Sequence, residues 1–453
     1  MSTRQIKLGL VVTGAGGPGN HNLWRDPDIP LDSSVNIDWY IDRAKLAERA
    51  KFDLLFIVDS QFITENSPPH YLSRLEPLTL LSAVATHTSH LGLVGTITTS
   101  YNSPFNVARR LGSLDHISRG RAGWNVVTSG DAGTAGNYSL DEHYDYDTRY
   151  GRASEHVKIA RGLWDSYEAD AFVRDRETGV FLDPAKLHTL DHGGTYFSVK
   201  GPLNLERPPQ GQPVIFQAGD SEQGRDLGAE VGEGIFTHAA SIEQGKAFYD
   251  DIKGRAVNKY GRDPDDIVIL PGISIVVGDT DEEARELELH YRESDHSFEQ
   301  ALAEFGRAFA WHDFRQYDVD APFPQEAVQH AERGFRTRSL RVAAEAQEKG
   351  WTLRQVVENG LRRRQRGPFV GTAETVANRL QEWWEARAAD GYNISSGHPA
   401  QLERIVNEVV PILQDRGIFR TDYESRTLRG NLGLRIPANR YTEQRLLVGA
   451  SGA

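Results

Sequence analysis

The sequence predicts an α/β fold, a closed (β/α)8 TIM barrel that carries long insertions. Two observations select it. Short apolar, β-prone runs alternate with helical patterns at the spacing of repeated βα units, and eight of each are counted along the 453 residues. Polar side chains gather where several of these runs end, and in parallel α/β folds ligands bind at the carboxyl ends of the strands. An open doubly wound sheet is the competing arrangement, and a count of eight favours closure.

Strands are expected near 6–12, 53–58, 91–98, 122–127, 213–217, 234–237, 268–277 and 391–395. Helices are expected near 35–50, 75–88, 104–117, 149–167, 222–231, 242–260 and 371–388, with a last one near 400–415. Residues 169–212 form a long excursion before the fifth strand. Residues 279–367, mostly charged helical pattern, form an insertion between the seventh and eighth strands. Insertions of this size in a compact fold are usually lids or binding loops. The whole chain therefore reads as a single barrel, 1–453, with a helical lid at about 279–367 and a C-terminal extension at about 417–453, whose last dozen residues are expected to be loose.

Composition excludes several function classes. The 51 basic and 64 acidic residues give a formal charge of −13, which argues against general binding of nucleic acid or an anionic membrane. No run of eighteen apolar residues exists, so no membrane span is expected. The absence of cysteine removes disulfides, thiolate zinc sites and cysteine nucleophiles. The start, MSTRQIKLGLVV, runs straight into a strand without the pattern of a secretory leader, and a cytoplasmic location is the expectation.

Taken along the chain, the first motif is Gly14-Ala-Gly16-Gly-Pro-Gly19, a match to G-x-G-x-x-G. A dinucleotide fingerprint needs a helix to begin inside it and an acidic residue about twenty positions later. Here helix begins only near Val35, and Asp59 lies forty positions beyond Gly19, so this stretch reads as a loop at the barrel mouth. The second strand ends in Asp59, a ligand contact or an ordinary turn cap. The third exits through Thr96, Thr98, Thr99 and Ser100, where β-branched packing explains threonine equally well. The fourth, Ala122 to Val127, delivers Asn125, Thr128 and Ser129 to its end. The next helix takes Asp147 or Thr148 as its N-cap and carries Tyr150 in its first turn. After the fifth strand, Ala218-Gly219-Asp220-Ser221 leads into a helix from Glu222. That helix start offers unpaired N–H groups to an anion, with the Ser221 hydroxyl beside them; Ser221 is equally an N-cap, and Asp220 should face solvent.

Other chemistries have little support. His188 and His192 are four apart and His87 and His90 three apart, yet neither pair has a metalloprotease pattern, so no metal is expected. Serine-hydrolase and P-loop motifs are absent. Arg333, Arg336, Arg338, Arg341, Arg362, Arg363, Arg364 and Arg366 in the insertion form a solvated face or attract an anionic substrate. The roles of Trp311 and His312 there are open.

The stretch Gly-Arg-Ala-Gly-Trp-Asn-Val-Val-Thr-Ser at 120–129 resembles the signature of a flavin-dependent monooxygenase family within the bacterial-luciferase-like superfamily. Its members oxidise nitrilotriacetate, long-chain alkanes, dibenzothiophene sulfone and a pristinamycin precursor. The Arg-Pro-Pro-Gln-Gly-Gln-Pro-Val segment before the fifth strand and the lid's Gln-Tyr-Asp-Val-Asp-Ala-Pro-Phe-Pro resemble the branch of nitrilotriacetate monooxygenase component A. The resemblance implies FMN, arriving as FMNH2 from a separate NAD(P)H:FMN reductase, and dioxygen as co-substrate. It also implies a small organic substrate, possible cleavage of C–N or C–S bonds in it, and a homodimer or homotetramer. Asp59 and Thr96 are its flavin contacts, followed by Asn125 and Ser129. The family's Glu-His-x-x-Arg-Tyr reads as Asp145-Tyr146-Asp-Thr-Arg149-Tyr150, which makes Tyr150, Tyr146, Gly219 and Ser221 the phosphate side. His21, Trp24, Asn125 and His398 are active-site candidates, without an assigned catalytic residue. Two histidines of the alkane-oxidising member fall on Pro18 and Gly130. A deazaflavin-dependent dehydrogenase of the same fold and a non-catalytic flavin carrier are the alternatives.

Overall fold

A computed structural model describes residues 4–17, 21–295, 297–333, 336–364, 368–395 and 397–451. Eight parallel strands close into a barrel in chain order, the last beside the first. They are β1 (Lys7–Val11), β2 (Leu54–Ile57), β3 (Gly92–Thr98), β4 (Ala122–Val127), β5 (Val214–Ala218), β6 (Gly234–Thr237), β7 (Val268–Ile273) and β8 (Gly391–Ser395). The helices around them are α1 (Ile37–Arg49), α2 (Pro77–Ala85), α3 (Pro104–Ser118), α4 (Tyr146–Trp164), α5 (Glu222–Val231), α6 (Ile242–Tyr260) and α7 (Ala373–Glu385). The eighth helical stretch of the barrel, Pro399–Arg404 and Val410–Asp415, is joined through a π-turn segment at Ile405–Val409, and the C-terminal segment adds helices Leu428–Leu432 and Arg440–Ser451.

Two expected boundaries move. The seventh strand stops at Ile273; Val276–Val277 instead pairs in parallel with Val370–Gly371, and the large insertion leaves and returns through that pair. Helix α4 begins at Tyr146, because Asp145 is the cap: its Oδ1 accepts from the Thr148 amide at 2.9 Å. Two residues of the C-terminal extension hold a carboxylate of the excursion before β5. The Thr442 hydroxyl donates to Glu168 Oε2 at 2.9 Å and Arg445 pairs with the same carboxylate.

The barrel interior is filled from alternate strand positions, Leu54 and Phe56, Val94, Val214 and Phe216, Val268 and Leu270. Leu428, Leu432 and Leu434 of the C-terminal segment join this cluster and close the amino-terminal end of the barrel. The approach is tight. A Cβ at Gly92, the first residue of β3, would lie 2.3 Å from Leu428 Cδ1. Two buried ion pairs anchor the plug. Arg420 meets Asp53 just before β2, and Arg429 Nη1 meets Glu233 Oε1 at 2.6 Å just before β6.

A third buried cation serves the barrel wall. Arg121, the arginine of the β4 signature, donates to the carbonyls of Ala85, Thr88, Leu91 and Ser118, all within 2.9 Å. It thereby ties the ends of α2 and α3 to the starts of β3 and β4, where helix carbonyls lack partners of their own.

The large insertion has its own apolar cluster, including Leu302, Phe309, Phe314, Phe323 and Leu353. The excursion before β5 lies against α4, where His192 Nε2 meets Glu155 at 3.0 Å, while His188 meets Glu168 at 2.8 Å. The two histidines thus serve separate carboxylates.

Glu233 gives the plug a pH signature. Burial opposes its ionisation, but the Arg429 guanidinium overrides it and holds the carboxyl at about 2 against an ordinary 4.5. A lowered carboxyl contributes stability that is complete above its ordinary value and lost as pH falls through the folded value. Glu233→Gln should therefore cost roughly 3–5 kcal/mol at about pH 7, with the difference shrinking as pH approaches about 2. Urea midpoints of parent and variant across that range check it.

Candidate active site

At the carboxyl ends of β3 and β4, Thr96 stands opposite Asn125 in the ladder. Its hydroxyl donates to the Ile57 carbonyl at 2.8 Å and accepts from Asn125 Nδ2 at 2.9 Å. Asn125 Oδ1 is buried and finds no donor among the described residues. A buried acceptor left unpaired costs free energy that a ligand's N–H would recover. One turn of the ladder further on, Ser129 Oγ donates to Thr98 Oγ1 at 2.8 Å, with Ser129 in the left-handed region at φ 53°. At the end of β2, burial pushes the Asp59 carboxyl up to about 6, against the pull of nearby Arg74.

The phosphate side also assembles. Ser221 caps α5, accepting from the Gly224 amide at 3.0 Å, and its Oγ is 3.4 Å from the Tyr150 hydroxyl. The Tyr146 and Tyr150 rings are 4.9 Å apart, and burial, aided by Tyr150, raises the Tyr146 hydroxyl to about 12. The Tyr146 phenol therefore keeps its proton and donates at neutral pH. A Cβ on Gly219 would stand 2.6 Å from Gln217 Nε2 and 3.0 Å from Gly224 Cα, so only glycine lets the loop pass this close to the helix start. Asp220 is exposed as expected, its Oδ1 accepting from Thr237 Oγ1 at 3.1 Å.

The remaining candidates divide. His21 is buried, 5.0 Å from the His70 ring and 3.5 Å from Glu304 of the insertion. Trp24 is 40% exposed and lies outside the buried polar cluster. His398 caps the Pro399–Arg404 helix: its Nδ1 accepts from the Ala400 amide at 3.2 Å, and its Nε2 is 2.8 Å from Asp26 Oδ2. Asp26, Asp28 and His398 bring ligand-type atoms within 4.8 Å of one another, an arrangement the Asp26–His398 contact itself accounts for. Pro18 and the side chains of Arg333, Arg336, Arg362, Arg363, Arg364 and Arg366 lie outside the described residues, and Arg338 and Arg341 are exposed. His312 stays within the insertion, its Nε2 2.9 Å from the Tyr317 hydroxyl.

Several further residues meet at the mouth to which the sequence assigned no role. His143 Nε2 lies 3.0 Å from the Ser129 carbonyl, which makes that nitrogen the donor and leaves Nδ1 to accept from the Tyr101 hydroxyl. Burial, with Arg149 beside it, lowers this imidazole to about 4. Arg149 Nη1 donates to the same Ser129 carbonyl at 2.6 Å. Asp131, two residues further on, is buried under the insertion and receives Arg307 and Trp311 from it. The contacts that join them span 42 residues from Tyr101 to His143 and 176 from Asp131 to Arg307, and only the Arg149-Tyr150 pair stood in a motif.

Residues 23–391 match the family described as luciferase-like monooxygenase. The chain belongs to the luciferase-like monooxygenase family. An N-acetyl-S-(2-succino)cysteine monooxygenase from Bacillus subtilis (strain 168) is 44% identical over 445 residues, 97% of this chain and 99% of the relative. Nitrilotriacetate monooxygenase component A from Aminobacter aminovorans is 38% identical over 97% of this chain and 98% of its own. Among solved structures, a riboflavin lyase with modified FMN and the substrate riboflavin superposes with a TM-score of 0.84 at 32% identity, covering 96% of this chain and 97% of that one.

In this luciferase-like chain the strand-end cluster and the α5 cradle are complementary: one offers a buried, unpaired acceptor, the other hydroxyl donors at a helix start. Asp59 links the first to pH. Stability tied to its neutral form is complete below the ordinary 3.8 and is lost as pH rises through about 6. Asp59→Asn should therefore be more stable than the parent by roughly 1–3 kcal/mol at about pH 8 and nearly equal to it at about pH 4. Denaturant titrations at both pH values check this, and the protonated carboxyl band of Asp59 should vanish near pH 6 in infrared difference spectra.

Proposed function

We propose that this chain is the oxygenase component of a two-component flavin system. Reduced FMN, dioxygen and a small organic substrate are consumed, and oxidised FMN, an oxygenated product and water leave. The observation that carries this reading is the unpaired Asn125 Oδ1 at the β3–β4 end, together with the separate cradle of Gly219, Ser221 and Tyr150. A flavin mononucleotide asks for that pair of features: donors and acceptors for the ring edge, and an anion site for the phosphate.

In this reading Asn125, Thr96, Ser129 and Asp59 meet the ring, and Ser221, Tyr150 and Tyr146 donate to the phosphate at the start of α5. Reduced FMN, once bound, supplies the electrons and the activation of dioxygen. The protein's own part is to fix orientation, hold fixed dipoles around the ring and keep water out. Among the described residues no α-helix begins before Ile37, well past the G-x-G-x-x-G match, so nicotinamide chemistry is assigned to a separate NAD(P)H:FMN reductase. The name of the nitrilotriacetate relative, component A, supports a divided system. The two relatives' named substrates carry carboxylates, so a screen starts with amino-carboxylates and thioether carboxylates, then sulfonates. Among the described residues no helix is long and apolar enough to cross a membrane. A cytoplasmic homodimer or homotetramer, each chain one barrel with its lid, completes the proposal.

Stopped-flow mixing of anaerobic protein and photoreduced FMN with oxygenated buffer tests it. Slower flavin reoxidation than in free solution, with substrate-dependent product, is the expected result; reoxidation at the free rate with no binding overturns it. Ser221→Ala and Tyr150→Phe should each weaken reduced FMN about tenfold while leaving reduced riboflavin, which lacks the phosphate, unaffected. Anaerobic fluorescence titrations with both flavins measure the difference.

A further inference from the structure

We propose that Asp131 is a positioning residue that latches the helical insertion over the barrel mouth. Its carboxylate is 6% exposed and accepts four hydrogen bonds: from Ser60 Oγ at 3.1 Å, Arg307 Nη2 at 2.9 Å, Arg307 Nε at 3.2 Å and Trp311 Nε1 at 3.3 Å. Two of the three donor residues belong to the insertion, and the third stands next to Asp59. Arg307 also donates to the Tyr71 hydroxyl at 2.6 Å and lies 4.3 Å over that ring. Trp311 meets Phe62 edge-on at 6.5 Å, and Glu304 faces His21 at 3.5 Å. Residues 304–311 thus touch the loops after β1, β2 and β4, all at the carboxyl end of the barrel.

Two features make this contact a latch rather than part of the folding core. The insertion packs around its own phenylalanine and leucine cluster, so it does not need the barrel to bury its apolar side chains. It also leaves and rejoins the barrel through the adjacent strands Val276–Val277 and Val370–Gly371, which form a compact pivot. An apolar contact would hold the two bodies together as well as a buried ion pair does, but without a defined position. The bidentate Arg307–Asp131 pair and the Trp311 bond instead set one closed geometry, two residues beyond Ser129. Resting on the flavin reading, the closed latch keeps water from the reacting centre, so its loss diverts oxygen from product to hydrogen peroxide.

Hydrogen exchange on the protein without flavin tests the latch by itself. In Asp131→Asn, amides of residues 298–311 should exchange at least about tenfold faster, while those of β3 and β4 keep the parent rate. Asp131→Glu should restore part of the protection. Trp311→Phe, which removes one donor and keeps a ring, should raise exchange about threefold and covers the case in which the first variant folds poorly. Unchanged exchange in residues 298–311 overturns the proposal. With reduced FMN, oxygen and a turned-over substrate, the peroxide formed per oxygen consumed should rise in Asp131→Asn; an unchanged ratio overturns the link to oxygenation. If flavin does not bind at all, the functional reading fails while the exchange result still decides the latch.

Discussion

The structure depends on a buried ionic floor. A barrel of parallel strands is open at both ends, and here the amino-terminal end is stopped by leucines that arrive from residues 428–434, held by Arg429 on Glu233 and Arg420 on Asp53. Glu233 also accepts from the Ile215 amide at 3.0 Å, so one carboxylate fixes the tail and the start of β5 together. With the floor sealed by side chains that cannot move without exposing a charge, the opposite end is free to carry loops, insertions and unpaired polar atoms.

The contrast among the carboxylates follows from what surrounds each. Glu233 faces a guanidinium and two further arginines' fields and stays ionised down to about 2. Asp59 is buried with Arg74 as a weaker counterion, and its neutral form persists to about 6. Asp131 neither stands bare nor anchors the fold: its partners come from an element with its own core, joined to the barrel through a short strand pair. The same functional group therefore serves as structural anchor, as a pH-sensitive group at the mouth and as the receiver of a lid. Burial and partners, not chemistry, separate the three.

Much of the barrel was legible because strand and helix periodicities are local. Seven strands fall within a residue or two of their expected bounds; the seventh in order broke because the insertion's return strand competes for its second half, a partner ninety residues away. Asn125 and Ser129 were readable as strand-end polar groups, and Gly219-Asp220-Ser221 as a helix start. Trp24 and His398 were legible only as residue types, and the fold sets one at the surface and the other on a helix cap. Tyr101, His143 and Asp131 gave no signal, since a hydrogen bond between loops forty or more residues apart leaves no spacing to detect.

By itself the sequence determined the alternation of strands and helices, the closed parallel topology, the place of the two insertions and the family to which the chain belongs. Those properties rest on apolar spacing, turn residues and short motifs, each contained in a few tens of residues. Only the tertiary structure decided that the tail plugs the barrel, that Asn125 keeps an unpaired oxygen and that the insertion is fastened by Asp131. Those properties arise from side chains brought together by closure of the ring, and the burial that shifts their charges exists only once the ring has closed.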